Sequence, residues 1–185
     1  MRPSGVQSGQ RNPPDDENAD GHQNPRDDPA QGRLADGVGE MGADGGAEQI
    51  TGEAIKGRRD AVTIVTKVHP SNGSRKGVIE AAERSLKRLG TDRIDLYLLH
   101  WQGTHPLSET FDAFAQLVHE EKILNFGVSN FDTDGMVDAE AITGGSGMIA
   151  NQVLYNVNRR GIEWDLLPWC EERQIAVMAY SPLDD

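Results

Sequence analysis

The sequence has few of the residues that would place it in several large classes of protein. Only one of its 185 residues is a cysteine, which excludes a disulfide within the chain and suits a reducing compartment. Aromatic residues make up 5 % of the sequence, and no apolar run is long enough to cross a bilayer. The N-terminus also lacks the hydrophobic stretch of a secretory signal. These absences predict a cytoplasmic protein without a membrane partner.

Basic residues are also scarce relative to acidic ones. The chain has 18 lysines and arginines against 30 aspartates and glutamates, which gives a net charge of -12. Nucleic acid is therefore excluded as an expected partner, because its phosphates require a basic surface. The acidic residues are spread along the whole chain, so they do not indicate one binding patch.

Residues 1–46 differ in composition from the rest of the chain. They contain no aromatic residue and are rich in Pro, Gly, Asn, Asp and Gln. Such a segment buries too little apolar surface to offset the entropy lost on ordering, so we expect a disordered acidic tail. Residues 47–185 are left for a fold, whereas a complete (β/α)8 barrel needs about 250 residues.

From residue 47 onward, predicted strands and helices alternate. The β-branched and apolar runs predict five strands, and the amphipathic stretches between them predict helices. For the first helix the apolar positions are Ala47, Ile50 and Ala54. This alternation predicts a parallel α/β sheet, either a barrel or an open doubly wound sheet. The predicted strands are Val62–Thr66, Ile94–Leu99, Leu124–Val128, Met148–Leu154 and Ile175–Ala179, and the predicted helices are Ala47–Lys56, Arg75–Leu89, Ser108–Glu121, Asp132–Ala141 and Glu163–Arg173.

Each of these five strands ends in a polar side chain. In a parallel barrel the carboxyl ends of the strands meet at one face, which is where ligands bind. Considered singly, each of these residues has a structural explanation: a solvated lysine, a satisfied core histidine, loop caps or a packed ring. Their common position favours a binding site. The residues are Lys67, His100, Ser129 with Asn130, Gln152, and Tyr180.

Two residue types give no sign of a further site. Cys170 lies in the run Leu-Leu-Pro-Trp-Cys, which is typical of a buried structural thiol. The histidines are scattered, and His100 with His105 has no third partner of the kind that metal sites use. We therefore predict no metal.

Five motifs, in order and at matching spacing, resemble the aldo-keto reductases. They are Ile-Val-Thr-Lys ending at Lys67, Asp-Leu-Tyr-Leu-Leu-His-Trp ending at Trp101, Gly-Val-Ser-Asn-Phe ending at Phe131, Asn-Gln-Val ending at Val153, and Ala-Tyr-Ser-Pro-Leu ending at Leu183. The resemblance covers about residues 47–183. It implies part of a (β/α)8 barrel that reduces small aldehydes or ketones with NADPH or NADH.

The resemblance also implies a role for each matched residue. Lys67 and His100 are the family's catalytic Lys and His, and Trp101 lines the substrate pocket. The remaining matched residues bind the cofactor: Ser129, Asn130 and Gln152 hold the nicotinamide carboxamide, Tyr180 stacks on its ring, and the backbone at Ser181 and Leu183 contacts its phosphates.

The sequence departs from the family pattern in two ways. The family has an Asp followed five residues later by a proton-donating Tyr; Asp36 matches the Asp, but no tyrosine follows before Tyr97. The chain also supplies about five of the eight barrel strands. It therefore resembles a truncated member, with open sheet edges that predict self-association. A catalytically inactive remnant is the alternative to an active reductase.

Overall fold

The computed structural model describes residues 33–36 and 45–183, which form a parallel sheet with helices between its strands. The five predicted strands and five predicted helices are confirmed to within a few residues. No helix in these ranges has the length and apolarity needed to span a membrane. In chain order the elements are β1 Arg33–Asp36, α1 Gly46–Ala54, β2 Val62–Val68, α2 Arg75–Leu89, β3 Ile94–Leu99, α3 Leu107–His119, β4 Ile123–Ser129, α4 Thr133–Thr143, β5 Met148–Leu154, α5 Leu166–Glu172 and β6 Ala176–Tyr180.

The strand order decides between the two predicted architectures. All neighbouring strands are parallel, and their spatial order from β1 to β6 follows the chain without a reversal. A doubly wound sheet reverses its order at a switch point, whereas a barrel does not. The described chain is therefore part of a (β/α)8 barrel, as the family resemblance implies, and the doubly wound alternative is excluded.

One strand was not expected. Arg33–Asp36 form β1, which pairs with β2 and places Asp36 in register with Val65, although this stretch lies in the predicted disordered tail. The backbone hydrogen-bonding groups of β2 stabilise β1 by pairing, a tertiary effect that composition does not reveal. Residues 1–32 and 37–44 lie outside the described residues, so the disorder of the tail, the domain boundary at residue 46 and self-association all stay predictions.

Local sequence signals explain where the helices begin and end. The side chain of Ser74 accepts a hydrogen bond from the Gly77 backbone N–H at the start of α2, and Asp132 caps α4 in the same way. Gly90 ends α2 with a φ of 64°, a left-handed conformation that favours glycine.

The two faces of the sheet bury different amounts of apolar surface. The outer face packs against the helices in a large core, where the ring of Tyr97 lies 5.7 Å from that of Phe114. The inner face carries a small cluster, made by Val65, Leu96, Leu98 and Ala150, with Met178 packed against it. Side chains alternate between faces along each strand, so these residues identify which positions point toward the barrel interior.

The predicted apolar stripe of α1 is wrong. The side chain of Ile50 is 71 % exposed, while Glu48 on the same helix is 0 % exposed. The Glu48 carboxylate accepts hydrogen bonds from Arg88 Nε at 2.6 Å and from Thr66 Oγ1 at 2.8 Å. This buried ion pair ties α1 to α2 and β2, and it turns the charged residue inward where periodicity favours an apolar one.

The amino ends of the strands are held together by an arginine. Arg59 donates to the carboxylate of Asp95 at 2.7 Å, to the carbonyl of Arg93 at 2.9 Å and to the hydroxyl of Thr91 at 2.9 Å. Asp95 Oδ2 also accepts the backbone N–H of Ile64 at 2.7 Å. The aspartate of the Asp-Leu-Tyr-Leu-Leu-His run therefore lies at the end of β3 opposite to His100.

Candidate active site

The predicted polar residues lie on the inner face, at the carboxyl ends of neighbouring strands. Each follows an inner-face residue by two positions, so strand alternation places it on the same face. The parallel registers bring these strand ends side by side. The pairs are Val65 and Lys67, Leu98 and His100, Gly127 and Ser129, Ala150 and Gln152, and Met178 and Tyr180.

Three of these side chains are buried. The exposed fractions are 7 % for Lys67, 1 % for Ser129 and 3 % for Gln152, whereas His100 and Tyr180 are partly exposed. Buried polar groups of this kind are retained where hydrogen bonds satisfy them. The site thus combines three buried polar side chains with two partly exposed rings.

Asn130 is the centre of the hydrogen-bond network. Its Nδ2 donates to the His100 carbonyl and to Ser129 Oγ, both at 3.1 Å, and its Oδ1 accepts the Tyr180 hydroxyl at 2.8 Å. Its backbone N–H donates to the Gln152 carbonyl at 2.9 Å, which also accepts Ser129 Oγ at 2.8 Å. Asn130 has a φ of 58°, and such left-handed residues persist where surrounding contacts hold them.

An aromatic wall lies beside His100. The ring of Trp101 is 4.6 Å from the His100 ring and 4.9 Å from the His69 ring, the latter edge-on. His69 Nδ1 accepts the backbone N–H of Ser71 at 3.2 Å. Sequence reasoning missed His69, although it follows Lys67 by two residues and therefore continues the line of strand-end polar groups.

The other predicted residues lie around this network. Asp36 is the last residue of β1 and is in register with Val65 of β2. The two strands are paired directly, and β2 is the strand that carries Lys67. Ser181 follows β6 with a φ of 46°, and its carbonyl accepts Nδ2 of Asn156 at 2.9 Å. The side chain of Leu183 is 93 % exposed. The structure thus joins the side chains of Ser129, Asn130 and Tyr180 with the backbone carbonyls of His100 and Gln152 in one network, and Trp101 lies beside the His100 ring.

None of the three tyrosines of the sequence lies at the position that the resemblance gives to the proton-donating tyrosine, and each makes a contact of its own. Tyr97 packs on the outer face against Phe114, as alternation predicts. The Tyr155 hydroxyl lies 2.7 Å from Glu163 Oε1, and this hydrogen bond raises the pKa of Tyr155 above its usual value. Tyr180 binds Asn130. Residues 37–44, where the resemblance places the proton-donating tyrosine, lie outside the described residues and contain no tyrosine.

The structure also locates the single cysteine and the residue types that bind metals. Cys170 is buried, which raises the pKa of its thiol to about 11 and agrees with the predicted structural role. Across residues 45–183, no group of three or more His, Cys, Asp or Glu side chains is arranged to hold a metal ion.

Comparison with known proteins identifies the family. The model of the aldo/keto reductase family matches residues 40–185. The methylglyoxal reductase YeaE of Escherichia coli is 51 % identical over 144 residues, which cover 78 % of this chain and 51 % of that protein. The NADH-specific methylglyoxal reductase of the same species is 32 % identical over 163 residues, covering 76 % of this chain and 49 % of that protein.

A solved structure gives the same result. An aldo/keto reductase from Klebsiella pneumoniae, in complex with NADP and acetate, is 49 % identical and superposes with a TM-score of 0.79. The match covers 82 % of this chain and 53 % of that protein. The chain therefore spans about half the length of the relatives it matches. The resemblance drawn from the five motifs is confirmed: this chain belongs to the aldo/keto reductase family.

Proposed function

We propose that this chain carries the catalytic Lys and His and much of the nicotinamide site of an NAD(P)H-dependent reductase of small carbonyl compounds. The observation that carries this proposal is the Asn130-centred network, which includes the His100 carbonyl and lies at the same ends of the parallel strands as the buried Lys67. We take a 2-oxoaldehyde such as methylglyoxal as the first substrate to test, because two relatives are named methylglyoxal reductases.

The donor set fits a nicotinamide cofactor. The hydroxyl of Ser129 and the amides of Asn130 and Gln152 are groups of the kind that pair with a planar carboxamide. Ser129 Oγ and Asn130 Nδ2 donate to partners within the network, so cofactor binding would exchange these hydrogen bonds for bonds to the carboxamide. Tyr180 adds a ring beside them, fixed through its hydroxyl to Asn130 Oδ1 at 2.8 Å. When bound, NADPH or NADH would supply a hydride. Ser129, Asn130 and Gln152 would orient the carboxamide, and Tyr180 would contact the ring.

A proton must also reach the carbonyl oxygen of the substrate. The sequence has no tyrosine at the position where the resemblance places the proton donor. Lys67, His100 and Tyr180 are the matched residues that hold a proton suited to this transfer. The Tyr180 hydroxyl donates to Asn130 Oδ1, so we assign the proton to Lys67 or His100. Trp101, 4.6 Å from His100, would form an apolar wall of the substrate pocket. Protonation from a positioned side chain is general-acid catalysis.

A second candidate function is cofactor binding without turnover. It is favoured by the placement of the tyrosines. Tyr97 lies on the outer face, Tyr155 is bound to Glu163, and the hydroxyl of Tyr180, which lies in the site, donates to Asn130. General-acid catalysis from a poorly placed group loses about 100-fold or more in rate. The inactive remnant is therefore a specific alternative with its own structural support.

One experiment separates the two candidates. NADPH is titrated into the purified chain while the fluorescence of its three tryptophans is followed, and the consumption of NADPH with methylglyoxal is then measured. Saturable binding with turnover supports the reductase, and saturable binding without turnover supports the second candidate. If neither NADPH nor NADH binds at millimolar concentration, both proposals are wrong.

A further inference from the structure

Asn156 is a buried polar residue in the loop between β5 and α5 that the family motifs did not include. Its side chain is 7 % exposed. Its Oδ1 accepts the backbone N–H groups of Asn158 and Arg159, both at 2.9 Å. Its Nδ2 donates to the Ser181 carbonyl at 2.9 Å, across 25 residues of sequence. One amide therefore closes a local turn and holds a distant backbone carbonyl.

The backbone that Asn156 holds has an uncommon conformation. Ser181 has a φ of 46°, in the left-handed region that a residue with a Cβ rarely adopts without support. On one side of Ser181, the Tyr180 hydroxyl is anchored to Asn130 Oδ1. The carbonyl of Ser181 itself accepts a hydrogen bond from Asn156 Nδ2. Strained backbone of this kind persists only where its surroundings determine it.

We propose that Asn156 is a positioning residue for the cofactor, acting through the backbone of Ser181. This rests on the proposed function and on the role that the family resemblance implies for the backbone at Ser181 and Leu183, which is to contact the cofactor's phosphates. Asn156 fixes the Ser181 carbonyl and with it the direction in which the chain leaves β6. Because Pro182 has no backbone N–H, the group that this contact positions is the backbone N–H of Leu183. A preorganised backbone binds an anion more tightly, because no ordering cost is paid on binding.

The chemistry of the side chain provides an isosteric test. Asn156→Asp keeps an oxygen that accepts from Asn158 and Arg159, so the local turn is retained. The same change replaces the Nδ2 donor with a second oxygen, which faces the Ser181 carbonyl and repels it. The matched control is Asn125→Asp, because Asn125 Nδ2 also donates to a backbone carbonyl, that of Asp95 at 3.2 Å, in the amino-terminal half of β4.

The experiment measures NADPH affinity, the melting temperature without cofactor, and hydrogen exchange of the peptide that contains Ser181. For Asn156→Asp we expect a loss of affinity of about tenfold, faster exchange at Ser181 and a melting temperature like that of the control. Asn125→Asp should bind NADPH like the parent chain. Ser181→Gly in the Asn156→Asp background should recover at least about threefold in affinity, because glycine adopts positive φ without strain.

The outcomes separate this inference from the proposed function. If the parent chain binds no NADPH, the proposed function fails and the inference fails with it. If the parent binds but Asn156→Asp binds equally well, or both aspartate variants weaken binding alike, the inference alone is wrong. Should Asn156→Asp fail to fold, Asn156→Ala with and without Ser181→Gly gives the same comparison, and absence of rescue by glycine overturns the inference.

Discussion

The two ends of the parallel strands use polar residues in opposite ways. At the amino end, the guanidinium of Arg59 donates to the Asp95 carboxylate and to the backbone carbonyl of Arg93, so its charge is compensated within the fold. At the carboxyl end, Asn130 connects the Tyr180 hydroxyl with the backbone carbonyl of His100. The first end joins elements together, whereas the proposed function assigns ligand binding to the second.

The difference shows that neither end can be interpreted from residue type alone. Asp95 and His100 belong to the same sequence run, only five residues apart, yet the strand carries one to each end of the sheet. In barrels of this type the carboxyl face carries chemistry and the amino face carries stability. Substitutions at the two ends should therefore change different measurements.

The largest expected effect is on turnover, from a substitution at the carboxyl end. If the chain is an active reductase, Lys67→Met should lower kcat with methylglyoxal by about 100- to 10,000-fold, because it removes a buried ammonium beside the reacting groups. NADPH affinity and the melting temperature should change little. Steady-state kinetics and a thermal melt measure these quantities.

The control for this variant is a lysine that the site does not contain. Lys76 on α2 is exposed and forms a surface ion pair with Glu80 at 3.6 Å. Lys76→Met should leave kcat unchanged. If both lysine variants lost turnover equally, the loss could not be assigned to the position of Lys67 at the carboxyl ends of the strands, and the prediction would be wrong.

The amino end should respond in the opposite way. Asp95→Ala should lower the free energy of unfolding by about 3 kcal/mol, because it leaves Arg59 uncompensated and the Ile64 N–H without its acceptor. NADPH affinity measured below the melting temperature should stay the same. Urea unfolding tests the first expectation. Asp92→Ala, at an exposed side chain 3.8 Å from Arg93, is the control.

A glycine on the inner face tests how tightly the sheet is packed between the two ends. A Cβ on Gly127 would lie 2.4 Å from the Ala150 carbonyl oxygen and 2.9 Å from Leu98 Cδ2. Gly127→Ala should therefore destabilise the fold by about 1–3 kcal/mol. Gly161→Ala is the matched control, because a Cβ there meets nothing within 4 Å. Equal unfolding midpoints for both variants would contradict this packing.

The smallest expected effect depends on pH. Burial raises the pKa of the Cys170 thiol from 9.0 to about 11, so above pH 9 the unfolded state loses this proton before the folded state does. Stability from the neutral thiol is complete below pH 9 and is lost as the pH rises toward 11. Between about pH 8 and about pH 10.5, Cys170→Ala should lose less stability than the parent chain in urea titrations. If the free energies of unfolding of Cys170→Ala and the parent chain fell in parallel with pH, the thiol would have the same pKa in the folded and unfolded states, and the prediction would be wrong.

Much of the fold follows from sequence pattern, and the exceptions have physical causes. The strand at Val62–Val68 and the helix at Arg75–Leu89 are predicted by β-branched residues and by helical periodicity with a serine cap. The burial of Glu48 was not predicted, because its partner Arg88 is 40 residues away. The strand at Arg33–Asp36 was missed because its stabilisation comes from pairing with β2.

The sequence by itself determined the family, the parallel alternation of strands and helices, and the strand ends at which Lys67, His100 and Gln152 lie. These properties are local or periodic, so they can be read along the chain. The tertiary structure alone decided that Asn130 joins His100 to Tyr180, and that Asn156 holds the carbonyl of Ser181. Such contacts depend on register between strands and on backbone dihedrals, neither of which is encoded in any single stretch of residues.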